Sequence, residues 1–141
     1  ISLPVVPSDA RLSVLFPGAA VMYRFEREKG YVRVQDSEEL QVGAGYWILV
    51  NEDKEYVPTG QSIPSYDKTV YSDGWEMIGG CTSGARPTVD SCQIGVIYRF
   101  VSGSGYVRVL TTEEIEPGGG FWILFNSVVD QCKLSLLPTA H

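Results

Sequence analysis

Two long stretches of this chain are near-copies of each other, and any fold must accommodate both. Tyr23 to Asn51 reads YRFEREKGYVRVQDSEELQVGAGYWILVN, and Tyr98 to Asn126 reads YRFVSGSGYVRVLTTEEIEPGGGFWILFN. The offset is 75 residues without a gap, and about half the positions are identical. Gly30-Tyr31-Val32-Arg33-Val34 returns as Gly105-Tyr106-Val107-Arg108-Val109. Glu38-Glu39 returns as Glu113-Glu114. Gly43, Gly45, Trp47, Ile48 and Leu49 return as Gly118, Gly120, Trp122, Ile123 and Leu124. Self-similarity at a fixed period over this length is the mark of a duplicated unit.

The alignment extends toward the N-terminus. Ile1-Ser2-Leu3 falls on Ile78-Gly79-Gly80, about two residues being absent from the second copy. Copy 2 enters this segment through Gly74-Trp75-Glu76-Met77, a lead-in with no counterpart in copy 1. The first strand is therefore expected to be truncated and the chain to belong to a longer polypeptide: a mature product, a fragment or an excised domain.

Each copy reads as four or five short strands. The candidates are Ile1–Val6, Val21–Glu26, Tyr31–Val34, Gly45–Asn51 and Glu55–Thr59, then Trp75–Gly80, Gly95–Val101, Tyr106–Leu110, Gly120–Asn126 and Gln131–Leu136. Gly30 and the Gly103–Gly105 stretch sit where a tight hairpin needs positive φ. Asp36–Glu39 and Thr111–Glu114 resemble N-capped helical turns, at most one turn each. No window keeps helical spacing for three turns without Gly or Pro. The expected class is all-β, with two homologous units packed as one pseudo-twofold sandwich or barrel-like domain. Unit 1 spans 1–60, a connector 61–73 and unit 2 74–141. A lone unit of this size is marginal, and packing the two buries both apolar faces.

Composition narrows function chiefly by exclusion. Apolar residues make up 44% of the chain, which argues against disorder. The net charge of −6 makes nucleic acid and anionic membranes poor partners. No run reaches the roughly 18 apolar residues that would insert in a bilayer as a helix. The one histidine is His141, at the very end, so Ser-His and Cys-His nucleophiles and histidine zinc sites are not expected. Neighbouring carboxylates such as Glu38-Glu39 point to opposite faces of a strand and cannot flank a glycosidic bond. They read as solvated turn residues. Asn51-Glu52-Asp53, Asp67, Asp73 and Asp90 could supply calcium ligands, but none has EF-hand spacing, and copy 2 has Ser127-Val128 in place of Glu52-Asp53. No catalytic residue, cofactor or metal is expected.

Aromatic residues are the strongest lead to a binding role. In Tyr46-Trp47 and Phe121-Trp122 one ring of each pair should face inward and the other outward. Trp47 and Trp122, set among Ile and Leu, are expected in the core. Tyr46 and Phe121 could point either way. With the repeated Tyr31 and Tyr106 these rings are the candidate ligand contacts, suited to stacking on sugar faces. Arg24, Arg33, Arg99 and Arg108 are expected to form salt bridges with the glutamate pairs. Cys81, Cys92 and Cys132 all lie in copy 2. In an oxidising compartment Cys81–Cys92 is the favoured pair and Cys92–Cys132 the competitor. In a reducing one all three are simply small buried side chains.

The run Gly74-Trp75-Glu76-Met77-Ile78, followed by Ile115-Glu116-Pro117-Gly118-Gly119-Gly120-Phe121-Trp122-Ile123, resembles an accessory module of large secreted bacterial and archaeal proteins. It opens with Gly-Trp-x-Met/Leu-Ile and later carries Glu-Pro-Gly-x-Gly-aromatic-Trp-Ile. Copy 1 departs from it, with Leu40-Gln41-Val42-Gly43-Ala44-Gly45-Tyr46-Trp47-Ile48, which keeps the glycines and the Trp but lacks the Glu-Pro pair. The resemblance implies a secreted or cell-surface location and a non-catalytic role, and it assigns no site residues. Expected partners are other domains of a parent polypeptide or a separate protein. A carbohydrate-binding module for polysaccharide and a self-assembling subunit are the alternatives.

Overall fold

The computed structural model describes residues 1–53, 55–71, 74–126 and 130–138. Asp73, Ser127, Val128 and His141 lie outside the described residues. The protein is all-β. Copy 1 contributes β1 (Val5–Val6), a short helix α1 (Leu12–Leu15), β2 (Val21–Glu26), β3 (Gly30–Arg33) and β4 (Tyr46–Leu49). Then come β5 (Gln61–Ser62) and β6 (Tyr66–Tyr71). Copy 2 contributes β7 (Trp75–Gly79), β8 (Ala85–Val89), β9 (Gln93–Val101), β10 (Gly105–Val109), β11 (Gly120–Asn126) and β12 (Gln131–Pro138). The strands form antiparallel sheets in the orders β3-β2-β4, β10-β9-β11-β7, β6-β12-β8 and β1-β5.

The duplicated stretches fold alike. Phe25 lies opposite Tyr31 and Tyr23 opposite Trp47, as Phe100 lies opposite Tyr106 and Tyr98 opposite Trp122. Both hairpins turn through glycine with positive φ, +78° at Gly30 and +82° at Gly105. The first glutamate of each pair closes the next turn. The Gln35 N–H donates to Glu38 Oε1 at 3.2 Å and the Leu110 N–H to Glu113 Oε1 at 3.0 Å. These stretches are turns and not the helical turns expected there.

Helix α1 forms elsewhere. Leu12 and Phe16, four residues apart, both point into the core of the first half, and Pro17-Gly18 ends the turn, with Gly18 at φ +81°. Such a short helix leaves no periodic signal to read. The expected strand Glu55–Thr59 is absent, and the expected strand Ile1–Val6 is reduced to Val5–Val6. Strands β6 and β8 were not foreseen. They pack on the two sides of β12, so the stretch read as a connector supplies an edge of the sheet that covers the larger core.

That topology decides the cysteines. Val89 of β8 lies opposite Leu134 of β12, so the turn after β8 emerges beside β12. The Lys133 N–H donates to Asp90 Oδ1 at 2.9 Å and the Asp90 N–H to the Lys133 carbonyl. Cys92 then bonds Cys132, with Cα atoms 5.9 Å apart. Cys81 is a free, buried thiol whose pKa burial pushes up. The favoured pairing Cys81–Cys92 is thus incorrect: the ten residues between these cysteines carry β8, which pairs with β12.

The halves are joined by backbone. Ile1 exchanges hydrogen bonds with Tyr46 of its own half, at 2.8 Å in each direction, while the Ser2 N–H donates to the Gly118 carbonyl of the other half at 2.8 Å. Conversely Ile78 lies opposite Phe121 of its own half, and the Gly79 N–H donates to the Gly43 carbonyl at 3.1 Å. The Ser2 hydroxyl, buried between them, donates to the Gly119 carbonyl at 2.6 Å and accepts from the Gly80 N–H. The Gly-x-Gly motif follows from these contacts. Gly43 and Gly118 need positive φ, at +84° and +76°. Gly45 and Gly120 leave room for the crossing strand: a Cβ on Gly45 would lie 2.7 Å from Met77 Cγ, and one on Gly120 would lie 2.9 Å from Ile1 N.

Candidate functional site

The pleat sorts each copy's aromatics onto two faces. Tyr46 and Phe121 point into the cores, 4% and 2% exposed, and Trp47 and Trp122 take the opposite face. This reverses the expectation that the tryptophans anchor the cores. The run Tyr46-Trp47-Ile48-Leu49 is apolar at every position, so alternation could not assign its inward face. The Tyr46 hydroxyl accepts the Gln41 N–H at 2.9 Å, which satisfies its one polar atom.

The tryptophans meet the other half. Phe25 packs edge-on to Trp122 at 4.9 Å, and Phe100 packs edge-on to Trp47 at 4.8 Å. Tyr31 lies 6.2 Å from Trp122, and Tyr106 lies 6.4 Å from Trp47. Within each half, Phe25–Tyr31 and Phe100–Tyr106 stand at 5.7 and 5.6 Å. Each contact therefore has its partner at the repeat offset. Both indole nitrogens are buried.

Around this array lies an open hollow of about 520 Å³, lined by Phe25, Trp75, Tyr98, Tyr106 and Trp122. Trp75 forms its wall, 6.1 Å from Tyr98 and 6.4 Å from Trp122. The rim is exposed: Tyr31, Tyr106 and Phe100 lie about half in solvent. Burial raises the Tyr106 phenol, and nearby Tyr31 adds to that. The hollow thus brings together Tyr106 and Trp122 of the expected ligand contacts, with Tyr31 at its rim. Tyr46 and Phe121 are not on that surface. Trp75, Tyr98 and Phe25 complete the lining and are not among the expected ligand contacts, although Tyr98 and Phe25 belong to the repeated Tyr-Arg-Phe triplets.

A second cleft, of about 480 Å³, is polar and includes Arg24, Glu26, Glu38, Glu39, Lys68 and Glu76 in its lining. Arg24 bonds Glu26 at 3.0 Å and also Glu38. These bonds raise the guanidinium pKa and hold the Glu26 carboxyl below its ordinary value. Burial pushes Glu76 up, opposed by Lys68 at 4.0 Å. The expected ion pair of Arg24 with the first glutamate pair is present. Arg99 instead reaches Glu116, at 3.4 Å. Arg33 and Arg108 are exposed and make no ion pair among the described residues. Among the described residues no group of three or more His, Cys, Asp or Glu side chains could hold a metal, and no helix is long and apolar enough to cross a membrane. No protein family, curated protein or solved structure matches the chain.

Proposed function

We propose that this chain is a non-catalytic interaction module of a larger secreted or cell-surface protein, and that it holds a protein partner or a neighbouring domain through its aromatic hollow. The observation that carries this reading is the lining: five aromatic side chains and no carboxylate, ammonium or guanidinium. Rigid aromatic surface open to solvent is what the centres of protein interfaces are made of. A disulfide fits an oxidising compartment, and the resemblance to an extracellular accessory module points the same way.

The second reading is carbohydrate binding, favoured by the half-exposed rings of Trp75, Tyr31 and Tyr106. Sugars need hydrogen-bonding partners beside the stacking rings, and the hollow offers little beyond the hydroxyls of Tyr98 and Tyr106. A self-assembling subunit is a third reading, consistent with open sheet edges.

The test is a tryptophan-fluorescence and pull-down screen of soluble and insoluble polysaccharides beside a library of extended peptides. Binding of apolar peptides alone, abolished in Trp75→Ala and Tyr106→Ala proteins of unchanged circular dichroism, is the expected result. Polysaccharide binding lost in the same variants establishes the second reading. Ligands that bind those variants as well as the parent overturn both.

A further inference from the structure

An aromatic ring carries negative partial charge on its face, so it attracts cations and repels anions. The hollow assembles several such rings. Trp75 and Tyr98 stand 35° from parallel with centroids 6.1 Å apart, and Trp122 crosses Trp75 at 86°. Tyr106 crosses Tyr98 at 71°, 6.4 Å away. The walls thus run in two orientations around about 520 Å³, which is more than one side chain fills. Trp75 is 39% exposed and Tyr106 55%, so the edges of a group seated there stay in contact with water.

Charge beyond the rings acts in the same direction. Phe25 lines the polar cleft as well as the hollow, so the two cavities adjoin there. That cleft sets the carboxylates of Glu26, Glu38, Glu39 and Glu76 against only Arg24 and Lys68. The whole chain carries a net charge of −6. The potential at the hollow therefore favours a cation and opposes an acidic group. The chain makes one such contact internally: the Arg27 guanidinium lies over the Tyr71 ring, 4.2 Å from its centroid.

We propose that the hollow takes an arginine side chain, presented by an extended, otherwise apolar segment of a protein partner. The proposal rests on the reading of the hollow as a protein-binding site, and it names what that site selects. A guanidinium is planar and weakly hydrated, so it lies flat on a ring and gives up little water. Its N–H donors lie in that same plane, where the open side of the hollow leaves them to solvent. A lysine ammonium is compact and strongly hydrated, and the rings offer little to replace the water it sheds. A carboxylate meets ring faces and a negative neighbour. The apolar residues beside the arginine fill the remaining volume.

The test uses three extended apolar peptides that differ only at the central residue: arginine, its neutral planar analogue citrulline, and lysine. Affinities for the full chain are measured by titration calorimetry, in the parent and in Trp75→Leu, which keeps an apolar wall and the net charge but removes the ring. The expected result in the parent is binding about tenfold tighter for arginine than for citrulline, with lysine between them. In Trp75→Leu the arginine advantage should fall to about threefold or less. Equal binding of arginine and citrulline by the parent overturns the proposal, and so does lysine binding as tightly as arginine. An arginine advantage that persists undiminished in Trp75→Leu also overturns it, because general attraction to an acidic protein would then be the cause. If all three peptides bind the parent equally and are lost in Trp75→Ala, the hollow remains a protein-binding site and only the arginine assignment falls. If none binds, both fall.

Discussion

At Gly45 and Gly120 a single hydrogen atom in place of a methyl lets one half of the molecule lie against the backbone of the other. A Cβ at Gly45 would sit 2.8 Å from the Ile78 carbonyl oxygen, and one at Gly120 would meet both the nitrogen and the oxygen of Ile1 at 2.9 Å. Main chain cannot swing aside as a side-chain tip can, so the strands must separate. Gly45→Ala and Gly120→Ala are each expected to destabilise the fold by about 1–3 kcal/mol, the usual cost of overpacking. Gly74→Ala, where a Cβ meets nothing within 4 Å, should leave stability within about 0.5 kcal/mol of the parent. Urea denaturation of the three proteins checks the contrast. The sequence carried part of this: both glycines of each Gly-x-Gly run recur at the repeat offset. That the second glycine makes room for another strand depends on a contact with the other half, and no local pattern encodes it.

Elements were legible where they alternate or turn on glycine, and illegible where their pairing is distant. The β2–β3 and β9–β10 hairpins lie where the Gly30 and Gly105 signals put them. Strand β8 contains Pro87 and follows glycines, and β6 sits in a polar stretch, so both were hidden until β12 drew them together. The disulfide depends on that arrangement. It joins residues 40 apart in sequence, and breaking it with Cys132→Ser is expected to cost roughly 2–4 kcal/mol in a non-reducing urea melt. Cys81→Ala should leave the Cys92–Cys132 bond intact by mass spectrometry, whereas a Cys81–Cys92 bond would be lost in that variant. Asp90 fastens the same corner. The Lys133 N–H first, then Ser91, holds its carboxyl below the ordinary carboxylate range. The folded protein therefore binds this proton more weakly than the unfolded chain. The stabilisation is complete above the ordinary carboxylate pKa of about 4 and fades as pH falls through the lowered folded value. Asp90→Asn should melt below the parent at pH 7, with a gap that closes on acidification below about pH 4 in calorimetric scans.

For the whole molecule, the question is whether the halves act as one body or as two beads. Neither the partners of the tryptophans nor the face they occupy is legible in the sequence, because an uninterrupted apolar run such as Tyr46–Leu49 gives no parity. It did place the rings at equal positions in both copies, and in the folded chain their contacts run from each copy into the other. Phe25 meets Trp122 as Phe100 meets Trp47, at nearly equal distances and in the same edge-on manner. Edge-on aromatic pairs contribute about 0.5–1.5 kcal/mol beyond the area they bury. Two double-mutant cycles to alanine, one at Phe25 and Trp122 and one at Trp47 and Phe100, isolate that coupling from the cost of each truncation. Both are expected to return a favourable coupling within this range, and the two values should agree within about 0.5 kcal/mol. Coupling near zero in both cycles, with unfolding in two separate transitions, would instead describe halves that fold independently. A large value in one cycle alone would mean that the two crossings, alike in distance, differ in how well the surrounding strands hold them.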